Sequence, residues 1–263
     1  MSQSAPKRLD FPVVGVQKSG TTALSAKLAH HPGISCALPK ELHIFDNESC
    51  DWNSKIVPDV AKHFPTGTED LLWGEATPIY TCWPQAIERV ARYNPDAKII
   101  VGLRHPAYRA LSHWKMEVTR HAECLSFSDA ISEKGRARVN PVHRTFSYVE
   151  QGFYAPQVVR VLNSFPRQNV TLYKMDELYR NEGKVLGEMY SFLGLADEVV
   201  QTGPKYVVPV DTSGIHVDAV NELAYLSDLY SSNILEPERL TSLVLKPWLD
   251  GTYEESFLNR GCP

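Results

Sequence analysis

One short stretch of the chain combines a lysine, a serine, a glycine and two threonines: Lys18, Ser19, Gly20, Thr21 and Thr22. The apolar run before it begins at Pro12 and predicts a short buried strand. After it, Leu24 and Leu28 lie on one face of a predicted helix that begins at Thr21. Free N–H groups in the first turn of such a helix favour negative charge, and the lysine adds a mobile cation. The stretch therefore predicts a loop that holds a phosphate-like anion.

The spacing of this loop differs from that of a Walker A motif. A Walker A loop places its lysine directly after the second glycine, whereas Lys18 comes two residues before Gly20. The usual interpretation as a site for a nucleoside triphosphate and magnesium thereby loses its main support. Gly15 and Gly20 also fit a purely structural turn between strand and helix, and the loop alone supports both interpretations equally.

Arg104 and Ser112 indicate a second anion position. Residues 97–103 form the clearest buried strand of the sequence, and Arg104 follows directly at its end. A helix is expected to start near Pro106, because proline suits the first helical position. Ser112 lies two turns into that helix. A guanidinium and a hydroxyl in these places can hold one phosphate between them.

Lys40, Glu41 and His43 lie in a predicted loop, residues 39–46, that can return toward the anion loop. A carboxylate beside an imidazole is what general-base removal of a hydroxyl proton requires. A solvated charge cluster would contain the same residues, and the segment alone favours that interpretation. The base is therefore a hypothesis that depends on the other motifs.

Glu75, Thr77 and Tyr80 follow a short apolar strand that is expected to end at Gly74. In open parallel sheets the ligand crevice lies beyond the carboxyl ends of the strands. We therefore expect these three side chains to face the same crevice. An ordinary turn from strand to helix is supported equally.

Strands and helices alternate along most of the chain. Strands are expected from Pro12 and over residues 71–74, 97–103 and 169–174, and helices over residues 84–93, 106–118, 155–165 and 184–193. This alternation predicts an α/β fold: a P-loop-like, doubly wound parallel sheet flanked by helices. The length fits a single domain of residues 1–263. Residues 1–10 are expected to be a flexible N-terminus. Residues 197–263 are expected to pack on the same domain, with helices over residues 217–230 and 236–249.

The composition excludes several classes of partner. Lysine and arginine number 27 against 31 aspartates and glutamates, which gives a net charge of −4 over 263 residues. A chain of this charge offers no polycation for nucleic acid. No stretch approaches the ~18 apolar residues of a membrane span, and residues 1–10 lack the apolar core of a secretory signal. We therefore expect a cytoplasmic protein without a membrane span. The oligomeric state is not constrained.

The cysteines indicate neither a disulfide framework nor a zinc site. The chain has 5 of them, widely spaced and without a C-x-x-C pair. We expect ordinary thiols and no bound metal.

The order and spacing of these motifs resemble those of the PAPS-dependent sulfotransferases, particularly the branch of the glycosaminoglycan sulfotransferases and their bacterial relatives. Residues 14–22 are similar to the loop that binds the 5′-phosphosulfate in that family. Residues 103–106, with the serine at position 112, look like its 3′-phosphate motif. Residues 39–45 are similar to its Lys-Glu-x-His-Phe-Phe segment. Residues 152–154 and 192–195 match later landmarks of the family.

The resemblance implies an enzyme that transfers a sulfuryl group from PAPS to a hydroxyl and releases PAP without a metal. Lys18 would neutralise charge on the bridging oxygen and the 5′-phosphate, aided by the amides and hydroxyls of its loop. Arg104 and Ser112 would select the 3′-phosphate. Glu41 would take the proton of the acceptor hydroxyl, and His43 would orient the acceptor or share the proton transfer.

The implied acceptor is a small molecule, a glycan or a carrier-bound intermediate with a free hydroxyl. The residues expected on the acceptor side are Lys40, His43, Glu75, Thr77 and Tyr80. Two positions depart from the family pattern. Many glycosaminoglycan enzymes have a lysine where this chain has Ala76, and their late Lys-Gly-Arg loop has only a weak counterpart in Arg260 and Gly261.

Two other function classes share part of this pattern. A P-loop kinase would use the same strand, loop and helix, and it predicts magnesium-dependent turnover of ATP. A non-catalytic nucleotide-binding module would bind the ligand but would need neither Glu41 nor His43.

Overall fold

A parallel sheet with helices on both faces forms the protein. The computed structural model describes residues 6–54, 58–139, 143–196, 212 and 214–255. The strands are β1 (Phe11–Gly15), β2 (Ile34–Cys36), β3 (Leu72–Ala76), β4 (Ile99–Leu103) and β5 (Val170–Lys174). The α-helices of the described residues are α1 (Thr21–Leu28), α2 (Ala86–Tyr93), α3 (Pro106–Thr119), α4 (Phe127–Ile131), α5 (Glu133–Ala137), α6 (Tyr154–Ser164), α7 (Met175–Arg180), α8 (Glu182–Leu193) and α9 (Val220–Leu240).

The strands lie in the order β2, β3, β1, β4, β5, and every neighbouring pair is parallel. Side chains of β1 alternate between two apolar layers, as the pleat of a strand requires. Phe11 and Val13 pack with Leu24 of α1 on one face, and Val14 packs with Ala107 of α3 on the other. Helices therefore cover both faces, and the predicted doubly wound parallel sheet is confirmed.

The register brings the functional motifs to one edge of the sheet. Val13 of β1 lies beside Ala76 of β3, and Gly15 lies beside Val101 of β4. The carboxyl ends of these three strands consequently meet, and the segments that follow them surround one crevice.

Strand β3 is longer than the sequence predicted. It continues through Glu75 to Ala76 instead of ending at Gly74. A β-carbon at Gly74 would lie 2.1 Å from Cζ of Phe11 on the neighbouring strand. The glycine therefore permits close packing inside the strand, and it does not end the strand.

The elements that the sequence missed are short. Strand β2 has 3 residues, and α7 has 6 residues that follow β5 without a loop. The last part of the chain also differs, because one helix, α9, stands where two were expected. This helix packs on the rest of the fold. The Tyr230 hydroxyl donates to the Val149 carbonyl at 2.7 Å, and the Asn233 side chain accepts from the Ala155 N–H at 3.0 Å.

Candidate active site

The loop between β1 and α1 forms the floor of the crevice. Gly20 precedes the helix with a φ of 79°, a left-handed conformation that glycine adopts without strain. No side chain caps the N-terminus of α1, so its first-turn N–H groups have no partner from a capping side chain. Thr21 is buried and Thr22 is half-buried at this turn. The loop therefore has the geometry of an anion-binding helix terminus.

Ser19 stabilises the loop from within. Its side chain is fully buried, and its hydroxyl donates to the Val16 carbonyl at 2.5 Å. The Ser19 carbonyl accepts a hydrogen bond from the Tyr173 hydroxyl at 3.1 Å. The sequence predicted a hydroxyl donor to a bound nucleotide at this position, and the structure directs that hydroxyl into the loop.

Lys18 lies at the centre of a cationic cluster. Its backbone has a φ of 72°, and its ammonium lies 3.4 Å from the sulfur of Met116 on α3. Burial and the Arg104 and Arg120 guanidinium groups lower the pKa of Lys18 from 10.5 to about 8. Arg104 is paired with Glu255 and Arg120 with Glu117, and an anion beside Lys18 would favour its charged form.

Arg104 leaves the end of β4 and reaches the same loop. Its Nη1 donates to the Lys18 carbonyl at 3.2 Å. The backbone carbonyl of Arg104 accepts a hydrogen bond from the Tyr154 hydroxyl at 2.7 Å. The other edge of the guanidinium contacts the carboxylate of Glu255, with Nη2 2.6 Å from Oε2. Burial opposes the charge of Arg104, but Glu255 outweighs it and raises the pKa of the guanidinium. No sequence motif indicated Glu255, which is 151 residues away from Arg104.

Ser112 lies on the face of α3 that turns toward Lys18. Positions four residues apart share one face of a helix, and Met116, one turn later, is the residue that Lys18 contacts. Tyr108, one turn earlier, donates its hydroxyl to the Tyr253 carbonyl at 3.1 Å. The predicted pair of Arg104 and Ser112 thus belongs to two elements that meet at the loop.

Loop 39–46 carries a chain of charged contacts. Lys40 lies 2.6 Å from Oε1 of Glu41, and His43 Nε2 lies 3.6 Å from Oε2 of the same carboxylate. The other ring nitrogen of His43 lies 2.9 Å from the carboxylate of Asp46. Glu41 and His43 have φ values of 66° and 50°, which are sparsely populated for residues with side chains. The loop holds these two side chains together in spite of that backbone cost.

These contacts fix the charges of the loop. Partial burial opposes ionisation of Glu41, but the contacts from His43 and Lys40 outweigh it and lower the pKa of Glu41 to about 2. The interactions with Asp46 and Glu41 raise the pKa of His43 to about 9. At neutral pH Glu41 is therefore a carboxylate and His43 is an imidazolium. Of these two groups, only Glu41 can accept a proton in this state.

Asp46 and Arg144 anchor the chain of contacts, and the sequence reasoning assigned neither of them a role. Asp46 is fully buried, and the Arg144 guanidinium bonds both its carboxylate and, at 2.6 Å, its carbonyl. The guanidinium also lies 4.1 Å from the ring centroid of Trp83. Arg144 lies in a loop after α5, where a charged side chain is usually solvated. The spacing of Asp46, three residues after His43, was the feature of the sequence that could have indicated their contact.

Glu75, Thr77 and Tyr80 lie beneath this loop. Their relative exposures are 3%, 0% and 0%. The Thr77 hydroxyl donates to Glu75 at 2.7 Å and accepts from the His43 N–H at 3.5 Å. The Tyr80 hydroxyl accepts from the Ile44 N–H at 3.1 Å. Burial raises the pKa of Glu75 to about 7. In these positions the three side chains support the loop, and their predicted contact with an acceptor stays a prediction.

The structure also bears on the predictions about a membrane span, a bound metal and the family's late loop. None of the described helices is long and apolar enough to cross a membrane, and the cytoplasmic location stays a prediction. Within the described residues no three histidine, cysteine, aspartate or glutamate side chains are grouped to hold a metal ion. Arg260 and Gly261, the weak counterpart of the family's late loop, lie outside the described residues.

Known proteins share both sequence and fold with this chain. Residues 8–209 match the family described as "Sulfotransferase domain". The chain is 30% identical to human heparan sulfate glucosamine 3-O-sulfotransferase 6 over 198 residues, which are 73% of this chain and 55% of that protein. It is 26% identical to the bifunctional heparan sulfate N-deacetylase/N-sulfotransferase 1 of Caenorhabditis briggsae over 236 residues, 84% of this chain and 26% of that protein. The chain spans about half the length, or less, of these curated relatives.

Solved structures agree with this match. The crystal structure of a sulfotransferase from Alicyclobacillus acidocaldarius aligns with a TM-score of 0.75 and 27% identity, covering 92% of this chain and 98% of that one. The sulfotransferase domain from the curacin biosynthetic pathway aligns with a TM-score of 0.53 and 15% identity, covering 90% of this chain and 98% of that one. The second likeness concerns the fold alone.

Proposed function

Since the chain belongs to the sulfotransferase family, we propose that it transfers the sulfuryl group of PAPS to a hydroxyl of an acceptor, giving a sulfate ester and PAP. The observation that carries this proposal is the junction of two cationic motifs. Arg104 donates to the carbonyl of Lys18 at 3.2 Å, which joins the motif expected to hold the 3′-phosphate to the loop expected to hold the phosphosulfate. Members of this family generally use PAPS as donor.

The residues present fit such a donor. The uncapped N-terminus of α1 and the Lys18 ammonium suit the phosphosulfate. Arg104 already holds a carboxylate in a bidentate contact, and a phosphate oxygen pair matches the same edge of a guanidinium. Ser112 would add a hydroxyl donor from α3. When bound, PAPS would supply the activated sulfuryl group.

Glu41 is the proposed proton acceptor. The acceptor oxygen forms a bond to sulfur while the bond from sulfur to the bridging oxygen breaks, and the electron pair leaves with PAP beside Lys18. The acceptor proton goes to Glu41. A carboxylate with a pKa of about 2 is a weak base, so the incoming hydroxyl must loosen the contact between Glu41 and Lys40. A loose transition state, as in phosphoryl transfer, releases that proton late and suits a weak base.

His43 and its partners would act by positioning. As an imidazolium it holds one oxygen of Glu41, and it keeps its charge because of Asp46. Arg144 fixes Asp46 from a different part of the chain. In this scheme His43 does not take the proton, since it already carries one at neutral pH.

The acceptor is proposed as a class. Two relatives bear names that state sulfation of heparan sulfate, one at an oxygen and one at a nitrogen. We propose a hydroxyl-bearing glycan, small molecule or carrier-bound intermediate for this chain. Ala76 removes the cation that many glycosaminoglycan enzymes have at this position, which weakens the case for a highly sulfated polysaccharide.

Nucleotide binding tests the donor site. Calorimetric titration with PAP and with AMP should give much tighter binding of PAP, and Arg104→Ala should remove most of that difference. Equal affinity of the unmodified protein for PAP and AMP would refute the donor assignment. Magnesium-dependent turnover of ATP without transfer from PAPS would instead favour the kinase.

Product formation tests the reaction. The protein is incubated with labelled PAPS and a panel of hydroxyl-bearing acceptors, and products that gain a sulfuryl group are sought by mass spectrometry. Glu41→Gln should lower kcat by about 100-fold or more and leave PAP affinity nearly unchanged, whereas Glu69→Gln, at an exposed site, should change neither. Normal turnover by Glu41→Gln would move the base to another group.

A further inference from the structure

We propose that Glu255 is an internal competitor for the 3′-phosphate of the nucleotide and holds the donor site closed until a nucleotide that carries this phosphate displaces it. The inference rests on the proposed function, in which Arg104 binds the 3′-phosphate. It adds a self-blocking contact from a distant part of the chain, and it predicts that the segment carrying Glu255 moves when PAPS binds.

The contacts of Arg104 carry the proposal. Its Nε lies 3.0 Å from Oε1 and 2.9 Å from Oε2 of Glu255, and its Nη2 lies 2.6 Å from Oε2. The Nη1 donates to the Lys18 carbonyl. The edge formed by Nε and Nη2 is one of the two edges that a guanidinium offers to a pair of phosphate oxygens. A phosphate can take that edge only after the carboxylate leaves it.

Burial makes the release of Glu255 depend on a replacement anion. The side chains of Arg104 and Glu255 are 4% and 1% exposed. Removing one partner of a buried ion pair leaves an uncompensated charge, which is strongly unfavourable. Glu255 can therefore leave when another anion replaces it at Arg104. A 3′-phosphate supplies that anion, whereas a 3′-hydroxyl does not, so AMP and adenosine 5′-phosphosulfate leave the carboxylate in place.

Most residues of the segment before Glu255 are exposed. Residues 250, 251, 252 and 254 are exposed. Tyr253 is half-buried and stacks on His105, with ring centroids 4.9 Å apart and an angle of 14° between the planes. Its carbonyl accepts from the Tyr108 hydroxyl at 3.1 Å. These contacts are with the start of α3 or the residue before it, as is the edge-on packing of the Tyr253 ring against Tyr108 at 6.1 Å. The exposed residues on either side of Tyr253 can move with less loss of packing than a buried segment.

Two variants test the competition. Glu255→Gln removes the carboxylate charge, and Glu254→Gln removes the same charge at the exposed neighbouring position as a matched control. Suppose that the ion pair of Arg104 and Glu255 is formed in at least about nine-tenths of the molecules. Loss of this pair then strengthens PAP binding about tenfold or more, because the apparent affinity scales with the fraction of molecules in which the site is open. AMP affinity should change less than about twofold. The measurement is calorimetric titration of each protein with PAP and with AMP.

The outcomes separate three cases. Unchanged or weaker PAP binding by Glu255→Gln would overturn the proposal and make Glu255 a fixed support of Arg104. Equal strengthening for PAP and AMP would also overturn it, since a general field effect would then suffice. If Arg104→Ala loses PAP binding but Glu255→Gln does not bind PAP more tightly, this inference alone is refuted. If the unmodified protein binds PAP and AMP equally, the proposed function is refuted as well.

A second measurement uses the unmodified protein and avoids any folding defect of the variant. Hydrogen exchange of the backbone over residues 250–255 should become faster when PAP is added and should stay the same with AMP. Slower exchange with PAP would mean that the segment closes on the nucleotide, and the competition would be rejected. The thermal midpoint of nucleotide-free Glu255→Gln should also lie below that of Glu254→Gln, with PAP removing most of the difference.

Discussion

Lys18 should give nucleotide binding a pH dependence that arginine at this position abolishes. Burial and the neighbouring guanidinium groups lower the pKa of Lys18 to about 8, whereas an arginine stays charged over the whole accessible range. The ammonium form is the one that attracts an anionic ligand. Binding should therefore weaken as the pH rises through about 8 in the wild-type protein and stay constant in Lys18→Arg.

The magnitude follows from the shifted pKa. With a pKa of about 8, about nine-tenths of the Lys18 side chains are charged at about pH 7 and about one-tenth at about pH 9. A ligand that binds only the charged form loses about tenfold in affinity over this interval. A lysine with the ordinary pKa of 10.5 would leave the affinity almost unchanged. The phosphates of PAP do not add to the effect, because their second pKa is near ~6.

Calorimetric titration with PAP at about pH 7, 8 and 9 measures the effect. Near pH 8, titration in two buffers of different ionisation enthalpy should also show uptake of about half a proton per bound PAP. Lys62→Arg, at an exposed position, is the matched control and should behave as the wild type does. A flat wild-type profile, or a tenfold loss that persists in Lys18→Arg, would refute the reasoning.

Three further substitutions test the supports of the site. Tyr80→Phe removes the hydroxyl that accepts backbone N–H groups of loop 39–46. Thermal unfolding should then begin a few degrees lower, since leaving a buried donor unpaired costs ~1–3 kcal/mol, and an unchanged midpoint would contradict this. Arg144→Ala removes the guanidinium that holds Asp46 and should lower kcat about tenfold at constant PAP affinity. Arg144→Lys should recover part of the lost kcat. Gly15→Ala would put a β-carbon 2.3 Å from Oγ1 of Thr81, so urea unfolding should show a loss of ~1–3 kcal/mol, partly restored by the added change Thr81→Ala.

The elements could be predicted from the sequence where a local pattern specifies them. The apolar run of residues 97–103 contains β4, and the proline at position 106 starts α3 as expected. Short elements escaped because three residues, as in β2, are too few for a periodicity. The glycine at position 74 was interpreted as a break, whereas its role depends on the ring of Phe11 in the neighbouring strand. That contact exists only once the sheet is assembled.

The candidate site also contains residues whose positions the sequence predicts and residues that it does not predict. The positions of the loop before α1 and of the arginine at the end of β4 could be predicted, because each follows a strand and parallel strands bring their carboxyl ends together. Their binding of anions stays a prediction. The partners of these residues could not be predicted. Glu255 is 151 residues from Arg104, and Arg144 is 98 residues from Asp46. No local pattern links residues so far apart, and a charged residue in a loop is usually solvated.

These distant partners change how the site is understood. A carboxylate and a cation already satisfy each other on both sides of the crevice, as Glu255 with Arg104 and Glu41 with Lys40. A substrate must therefore supply better contacts than those it displaces, which lowers its apparent affinity. The two pairs differ in burial, since Glu41 is 38% exposed and Glu255 is 1% exposed. Exchange at Arg104 consequently demands a replacement charge, whereas a neutral hydroxyl can approach Glu41 because water already screens its pair with Lys40. This difference matches an anionic nucleotide on one side and an uncharged hydroxyl group on the other.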